Sequence, residues 1–393
     1  MKRRILEITI TLLSISAVLI LTGHSAAEDS RIQGGDTTSK STEKTVEQVF
    51  KNIKVLNGMP QSKLYPTMRF MAASLGFQCG SCHVIRNGYI DAPADDKPEK
   101  QTARQMIKMV IELNKTSFQG NPTITCNTCH RGHRTPQSAL LLPLPTPTPR
   151  TTGTLVAGPT DLSAGAPSAD DVLKKYLVAI GGKAATDLIT SCVVKGTTTT
   201  AIGQVVAYES EQLVPDKGHE AFSIPSDTGR PCTGDSRCEY ARVINGQQGW
   251  LKSGAGVQEL VGEQLADQKL SFVLFQILKL KDQYSSFHVS GRDKIDDRDV
   301  YTVNAVRSDN KVERLYFDIE NGLLRRRISY MRTLIGIVPQ QTDFEDYRET
   351  GGLKLPFTIR MSYADPGSIP ITRKFAEIKL NVPVAESTFE KPR

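Results

Sequence analysis

The chain contains Cys79-Gly80-Ser81-Cys82-His83 and, further on, Cys126-Asn127-Thr128-Cys129-His130. Both stretches have the pattern C-x-x-C-H, which is the attachment signature of c-type haem. The two thiols form thioether bonds to the haem, and the histidine then ligates the iron from the proximal side. The two copies use four of the seven cysteines in the chain, which favours a repeated site over a chance match. We therefore expect two covalently bound c-type haems (haem c).

Two other kinds of site use paired cysteines. Two C-x-x-C pairs can build a Cys₄ zinc site, and a single pair can form a redox-active disulfide. Both alternatives leave unexplained the histidine that follows each pair, at His83 and His130. Haem explains all six residues and is the preferred interpretation. A zinc site and a redox-active disulfide are the alternatives.

Each haem also needs a distal ligand or an open distal site, and methionine is a common ligand in cytochromes c. Most of the eight methionines lie upstream of the two motifs. The candidates are Met59, Met68 and Met71 before the first motif, and Met106 and Met109 before the second. The alternative is that they only pack in a core, as methionine does readily.

Helical periodicity predicts where these methionines lie. Lys97 to Ser117 has apolar residues at helical spacing, with Met106 central in the apolar stripe. Ser62 to Leu75 also predicts a helix, with Pro66 in its first turn or at a kink and Gly76 as its C-terminal stop. Each unit would then be a helix, a turn and a C-x-x-C-H motif, with one methionine laid over the haem.

The motif region contains the stretches Asn52-Ile53-Lys54-Val55-Leu56, Thr67-Met68, Ala103-Arg104-Gln105-Met106 and Ile124-Thr125-Cys126-Asn127-Thr128-Cys129-His130-Arg131-Gly132. In these stretches it resembles a known family, the cytochrome c subunit of photosynthetic reaction centres. The resemblance covers about residues 46–136. In that family the methionine of each T-M and A-R-x-M motif is the distal ligand, which implies Met68 for the first haem and Met106 for the second.

The chain also departs from that family. Family members usually carry four haems in two such units, whereas this chain has one unit with two motifs. The family places a histidine before the second motif, where it ligates a haem of the other unit, but residues 115–125 contain none. The resemblance implies electron transfer rather than enzyme catalysis, with a redox protein as donor or acceptor, and leaves a photosynthetic role open.

The second motif continues into Arg131-Gly132-His133-Arg134. His133 is either a haem ligand or, as we prefer, a surface residue or a support for the ligating histidine. Arg131 and Arg134 either pair with haem propionates, since guanidinium groups suit carboxylates, or form a solvated basic turn.

Residues 1–27 have the pattern of a secretory signal peptide: a basic Met1-Lys2-Arg3-Arg4, an apolar run to Leu21 and the small residues Ser25-Ala26-Ala27. Haem is attached to c-type cytochromes outside the cytoplasmic membrane, so the two signals agree and predict export to the periplasm. The apolar run is nearly long enough to span a bilayer, so an uncleaved N-terminal membrane anchor is the alternative.

Composition predicts the remaining organisation. A chain of 393 residues is typical of two or three domains. We expect a flexible leader over 28–43, a dihaem cytochrome c domain over 44–136, a proline-rich linker over 137–167 and a β-rich domain over 168–393. The net charge of +7, from 49 Lys+Arg and 42 Asp+Glu, is too mixed to indicate nucleic acid as a partner.

The C-terminal part predicts a β-rich fold. Ala169 to Ile180 has the pattern of an amphipathic helix, Leu265 to Leu280 predicts a helix against a sheet, and segments such as Val300 to Val306 alternate as strands do. The predicted fold class is therefore multidomain. It combines a small, mainly α cytochrome c domain with an antiparallel half-barrel of the α+β type.

This part contains the fragments Phe317-Asp318, Gly322-Leu323-Leu324, Asp346-Tyr347-Arg348, Gly352-Leu353-Lys354-Leu355-Pro356 and Phe389-Glu390-Lys391-Pro392. These fragments resemble the lipoprotein-carrier fold of LolA and LppX. Members of that fold hold acyl chains or other apolar molecules, which implies a lipid or quinone-like ligand. A filled core is the alternative. In an oxidising compartment Cys232 and Cys238 would form a local disulfide, and Cys192 would be buried and inert.

The first functional hypothesis is an exported dihaem cytochrome that relays electrons, with membrane association through an anchor or the C-terminal domain. A peroxidase-like enzyme is one alternative, and it requires that Met68 or Met106 not bind iron. The other is an apolar-ligand carrier or redox sensor.

Overall fold

The computed structural model describes residues 43–86, 89–136, 167–200, 203–225, 237–254, 256–278, 280–366 and 368–393. The predicted signal peptide lies outside the described residues, as do the leader and linker apart from their last residues. The predicted disulfide also lies outside them, because Cys232 falls in the undescribed segment 226–236. Within the described ranges, no helix is both long and apolar enough to cross a membrane.

Residues 43–136 form a helical module. Its helices are α1 (Val46–Val49), α2 (Leu64–Leu75), α3 (Cys79–Cys82), α4 (Pro98–Ser117) and α5 (Cys126–His130), and a hairpin of β1 (Val84–Arg86) and β2 (Tyr89–Asp91) follows α3. Both helix predictions are confirmed within two residues. Pro66 lies in the first turn of α2, and Gly76 ends that helix with φ +66°, a conformation that glycine adopts without strain.

Residues 167–393 form a thirteen-stranded antiparallel sheet. Its strands are β3 (Ser191–Thr199), β4 (Val205–Leu213), β5 (Lys217–Pro225), β6 (Arg237–Asn245), β7 (Gln248–Ser253), β8 (Gly256–Glu259), β9 (Tyr284–Ile295), β10 (Arg298–Arg307), β11 (Val312–Asp318), β12 (Leu324–Thr333), β13 (Gly336–Thr350), β14 (Leu353–Tyr363) and β15 (Ile371–Leu380). The spatial order runs from β8 back to β3, then β15, then back to β9. The pairing of β15 with β3 joins the two halves, and β8 and β9 remain as edges, so the sheet is open.

Four helices accompany the sheet: α6 (Ala169–Ala179), α7 (Gly182–Asp187), α8 (Gly262–Lys269) and α9 (Val273–Leu278). Helix α6 begins at Ser168, whose hydroxyl accepts a hydrogen bond from the Asp171 backbone N–H, and it packs Tyr176 edge-on against Phe317. Cys192 is buried in the same core, as predicted, and burial raises the pKa of its thiol to about 12.

The single helix predicted over Leu265 to Leu280 is instead two helices, α8 and α9. The break lets Phe272 pack flat on the sheet at Gly218, where a Cβ would come within 2.7 Å of the Phe272 ring. The apolar run therefore predicted burial correctly but not the interruption. With the open antiparallel sheet and the helical module both in place, the predicted fold class is confirmed.

The helical module and the sheet share a core. Ile335, in the tight turn between β12 and β13, is fully buried in an apolar cluster of the module that includes Val46, Met59 and Ile107. In the opposite direction, Arg69 of α2 contacts residues of the sheet and of the loop that follows β14. Its guanidinium lies 4.0 Å from the ring centroid of Tyr363 and hydrogen-bonds Ser368 at 2.9 Å and Asp365 at 3.4 Å.

Replacing Ile335 by alanine should therefore destabilise the module and the sheet together. We expect a loss of about 2–5 kcal/mol in the free energy of unfolding, because the substitution leaves a cavity in a shared core. Chemical denaturation of the full chain measures it. Leu334→Ala is the matched control, since Leu334 is 45% exposed, and should change stability by no more than about 0.5 kcal/mol. Equal effects of the two variants would contradict the shared core.

Candidate functional site

The two C-x-x-C-H motifs form matching short helices, α3 and α5. In each, the hydroxyl between the cysteines accepts a hydrogen bond from the backbone N–H just before the motif. Ser81 accepts from Gln78 at 3.3 Å, and Thr128 accepts from Thr125 at 3.0 Å. Such reciprocal caps stabilise the first turn of a helix. Because residues three apart lie on one face of a helix, both thiols of a motif point to the same side.

The histidine of the second motif is held in the tautomer that a metal requires. Nδ1 of His130 lies 3.0 Å from the carbonyl oxygen of His133. A carbonyl only accepts, so Nδ1 carries the proton and the Nε2 lone pair is left for a metal. His133 therefore supports His130 through its backbone, while its own side chain is exposed.

The histidine of the first motif is half-buried. Burial, together with the positive charges of Lys100, Arg104 and Lys97, lowers the pKa of His83 and favours its neutral form. Among the described residues, the buried Nδ1 of His83 has no hydrogen-bond partner. The neutral imidazole is the form that ligates iron.

A cavity of about 260 Å³ brings the two motifs together. Cys82 of the first motif and Cys126, Cys129 and His130 of the second all line it. Helix α4 forms the facing wall with the apolar side chains of Ala103, Met106, Met109, Val110 and Leu113. Met106 is 37% exposed and Met109 is 51% exposed, so this wall presents apolar surface that a flat apolar group would cover.

The apolar stripe predicted on α4 is buried to different degrees across its width. Ile107 and Val110 are buried in the core of the module and also line the cavity, whereas Met106 and Leu113 line the cavity and are exposed. Periodicity identified the apolar side of the helix, but not which part of that side meets the core.

The structure also sorts the upstream methionines. Met59 is buried in the core with its sulfur 3.6 Å from the Thr67 hydroxyl oxygen, as expected of a packing residue. Met71 lines the cavity, whereas Met68 is half-buried against the core cluster of the module. Met68 and the first motif thus lie on consecutive helices, α2 and α3, separated by the turn at Gly76.

Asn114, which the sequence analysis did not single out, positions the second motif. Its buried side chain donates to the carbonyl of Ile124 at 2.6 Å and accepts from the N–H of Ile124 at 2.9 Å. These two bonds fix the segment that enters α5. A lone asparagine within an apolar helical stripe was the signal available in the sequence.

The far end of the second motif is held by α2. The N–H of Gly132 donates to the carbonyl of Ser74 at 2.8 Å. A Cβ on Gly76 would lie 2.2 Å from the carbonyl oxygen of Gly132, so only glycine allows this approach. Nearby, Arg134 lines the cavity, lies 5.9 Å from the Phe77 ring centroid and pairs with Glu99 at 3.4 Å.

The motif cysteines do not pair with one another in the described part of the chain. All four motif cysteines are free thiols. In the described part of the chain, no three His, Cys, Asp or Glu side chains group closely enough to hold a metal ion. Burial raises the pKa of the Cys126 thiol to about 11.

A comparison with protein families bears directly on this site. The family of the photosynthetic reaction centre cytochrome C subunit matches residues 21–191. The resemblance to the reaction-centre cytochrome family is thus confirmed over a stretch that includes both motifs, Met68 and Met106. The match supports a cytochrome c assignment for the helical module.

Solved structures similar to this chain match it over its C-terminal part. A LolA superfamily protein of Nitrosomonas europaea is 15% identical with a TM-score of 0.40, covering 57% of this chain and 99% of that one. A DUF1329 family protein of Desulfovibrio piger is 12% identical with a TM-score of 0.40, covering 56% and 96%. The lipoprotein LppX of Mycobacterium tuberculosis is 12% identical with a TM-score of 0.22, covering 55% and 96%. At these identities the likeness concerns the fold alone.

Replacing Gly76 by alanine should displace the second motif, because its Cβ would collide with the Gly132 carbonyl. We expect haem attached at the second motif to fall well below one per chain, measured by the pyridine haemochrome assay and mass spectrometry of the peptide around Cys126. Gly120→Ala is the control. Gly120 also has a positive φ, of +78°, but has open space around its Cβ, so only about 1–2 kcal/mol of backbone strain is expected. Full haem attachment in Gly76→Ala would refute this role.

Proposed function

We propose that the chain is an exported dihaem c-type cytochrome that relays electrons in the periplasm. The observation that carries the proposal is the cavity that both motifs line, faced by Met106. Cys79, Cys82 and His83 would hold one haem, and Cys126, Cys129 and His130 the other. Met68 and Met106 would be the distal ligands.

The residues at the second motif suit a haem c. Two thiols on one helical face meet the needs of covalent attachment, and His130 presents Nε2 because its Nδ1 is engaged by the His133 carbonyl. The wall that carries Met106 is apolar. When bound, haem supplies an iron that changes oxidation state by one electron.

Hydrogen bonds within the protein would hold the haem-binding side chains in fixed positions. The caps on α3 and α5 and the Asn114 bonds to Ile124 hold the protein ligands in place. An unchanged ligand set in both oxidation states keeps the structural cost of each electron transfer small. Apolar surroundings and hydrogen bonds to the ligands then tune the potential.

The closeness of the two motifs supports the relay. Cys82 of the first and Cys126 of the second line the same cavity, so groups attached to them would be neighbours. An electron that enters at one could leave at the other to a redox protein. The signal pattern of residues 1–27, or an uncleaved anchor there, would place the protein at the outer side of the cytoplasmic membrane.

Optical spectroscopy of the purified holoprotein tests the distal ligand of the second haem. We expect two low-spin c-type haems per chain and a far-red absorption band from methionine bound to ferric iron. Met106→Ala should remove about half of that band. Met109→Ala, one helical turn away on the same wall of the cavity, should leave it intact. Loss in Met109→Ala and retention in Met106→Ala would reassign the ligand.

Two methionines of α2, Met68 and Met71, provide a test variant and a control variant for the first haem. Met68→Ala should remove the other half of the far-red band, and Met71→Ala should leave it. A drop in midpoint potential is expected wherever the methionine ligand is lost, because methionine ligation raises the potential. A wild-type protein with a high-spin haem that binds carbon monoxide would instead favour the peroxidase-like alternative.

A further inference from the structure

A second cavity, of about 380 Å³, lies between the sheet and the segment of α8 and α9. The cavity is lined by residues of β3, β5 and β6 on one half of the sheet and by residues of β10 to β15 on the other half. The sheet therefore curls around the cavity. Pro66 of α2 reaches its rim from the helical module. Much of the wall is apolar, formed by Phe222, Ile224, Val338, Ile359, Met361 and Ile371.

One part of this wall is a cluster of three charges, of which Glu220 and Arg373 are buried and Arg242 is partly exposed. Glu220 is 3% exposed, and its Oε1 accepts hydrogen bonds from Nη1 of Arg242 and, at 3.0 Å, from Nη2 of Arg373. Its Oε2 accepts from the Tyr208 hydroxyl at 2.8 Å. Both arginines line the cavity, and Arg373 is only 6% exposed. Two guanidinium groups therefore share one carboxylate.

Glu220 is ionised in this cluster and supplies one of the two negative charges that the arginines need. Burial alone would raise the pKa of Glu220, but Arg242 and Arg373 beside it hold that pKa below its ordinary value. The carboxylate stays ionised, and the cluster keeps one uncompensated positive charge.

The other charged wall of the cavity is balanced by contrast. The ion pairs of this network join four cations to four carboxylates: Arg307, Lys311, Arg327, Lys63, Asp267, Asp309, Glu313 and Glu263. The excess charge is thus located at Arg242 and Arg373 rather than spread over the cavity.

An unpaired buried charge is strongly unfavourable unless an anion accompanies it. The Nε–H groups of Arg242 and Arg373 are also buried without a hydrogen-bond partner among the described residues. Guanidinium groups match the geometry of carboxylate and phosphate oxygens. The cluster therefore has the charge to receive one more anionic group.

We propose that this cavity binds an amphipathic anion. One carboxylate or phosphate group lies against Arg242 and Arg373, and an apolar body lies against the wall around Phe222, Ile359 and Met361. This site is separate from the two C-x-x-C-H motifs and adds a ligand to the electron relay. It also differs from a purely apolar lipid pocket, since recognition depends on the head group.

Isothermal titration calorimetry on the full-length holoprotein tests the proposal with three probes. Sodium decanoate has the charge and the chain, decan-1-ol has the chain alone, and inorganic phosphate has the charge alone. We expect decanoate to bind at least about tenfold more tightly than either of the others. Equal affinity for decanoate and decanol would overturn the anion site. Phosphate binding as tightly as decanoate would overturn the amphipathic class.

Two variants with opposite expected effects locate the site. Arg242→Gln should weaken decanoate binding about tenfold or more and leave decanol binding unchanged, since it removes a charged hydrogen-bond donor. Glu220→Gln should tighten decanoate binding, because it increases the positive excess, and misfolding cannot imitate a gain. Arg348→Gln is the control, because Arg348 is exposed, pairs with Asp346 and lies outside the cavity. Equal effects of Arg242→Gln and Arg348→Gln, or no gain in Glu220→Gln, would overturn the proposal.

Discussion

The two hydrogen bonds between the Asn114 side chain and the Ile124 backbone hold the second motif against α4. An amide buried in an apolar helix face is costly unless both its donor and its acceptor are satisfied, and Ile124 satisfies one of each. At the other end of the motif, the contact of Gly76 with Gly132 leaves no room for a side chain. Helix α5 is thus clamped at both ends, and a binding site needs such support to keep its ligands in place.

The helical module depends on the sheet in a similar way. Along α2, neighbouring residues face different partners: Met68 packs toward the core of the module, while Arg69 lies on Tyr363 of the sheet. Ile335 completes the core of the module from the sheet side. The helix that carries one proposed iron ligand is therefore positioned partly by residues nearly three hundred positions away in sequence, as the Arg69 bond to Ser368 shows.

The interior of the sheet is more polar than a fold of alternating apolar strands leads one to expect. Glu220, Glu313 and Arg373 are all buried. Buried ion pairs contribute little net stability, because desolvation offsets much of their attraction. A balanced network such as that of Arg307 and Glu313 has a structural explanation, whereas Arg242 and Arg373 share the single carboxylate of Glu220.

Local chemistry by itself determined the two attachment motifs, the ends of α2 and α4, the burial of Cys192 and the strand-rich C-terminal part. These features depend on residues only a few positions apart, such as Pro66 and Gly76 at the ends of α2. Only the tertiary structure decided that Met106 faces the second motif, that Met59 is a core residue, that α8 and α9 are separate, and that Glu220 meets Arg373. Periodicity identifies which side of an element is apolar, but what covers that side is decided by segments far away in the chain. Glu220 on β5 and Arg373 on β15 are 153 residues apart in the chain. The pairing of β3 with β15 joins the two halves of the sheet that carry them.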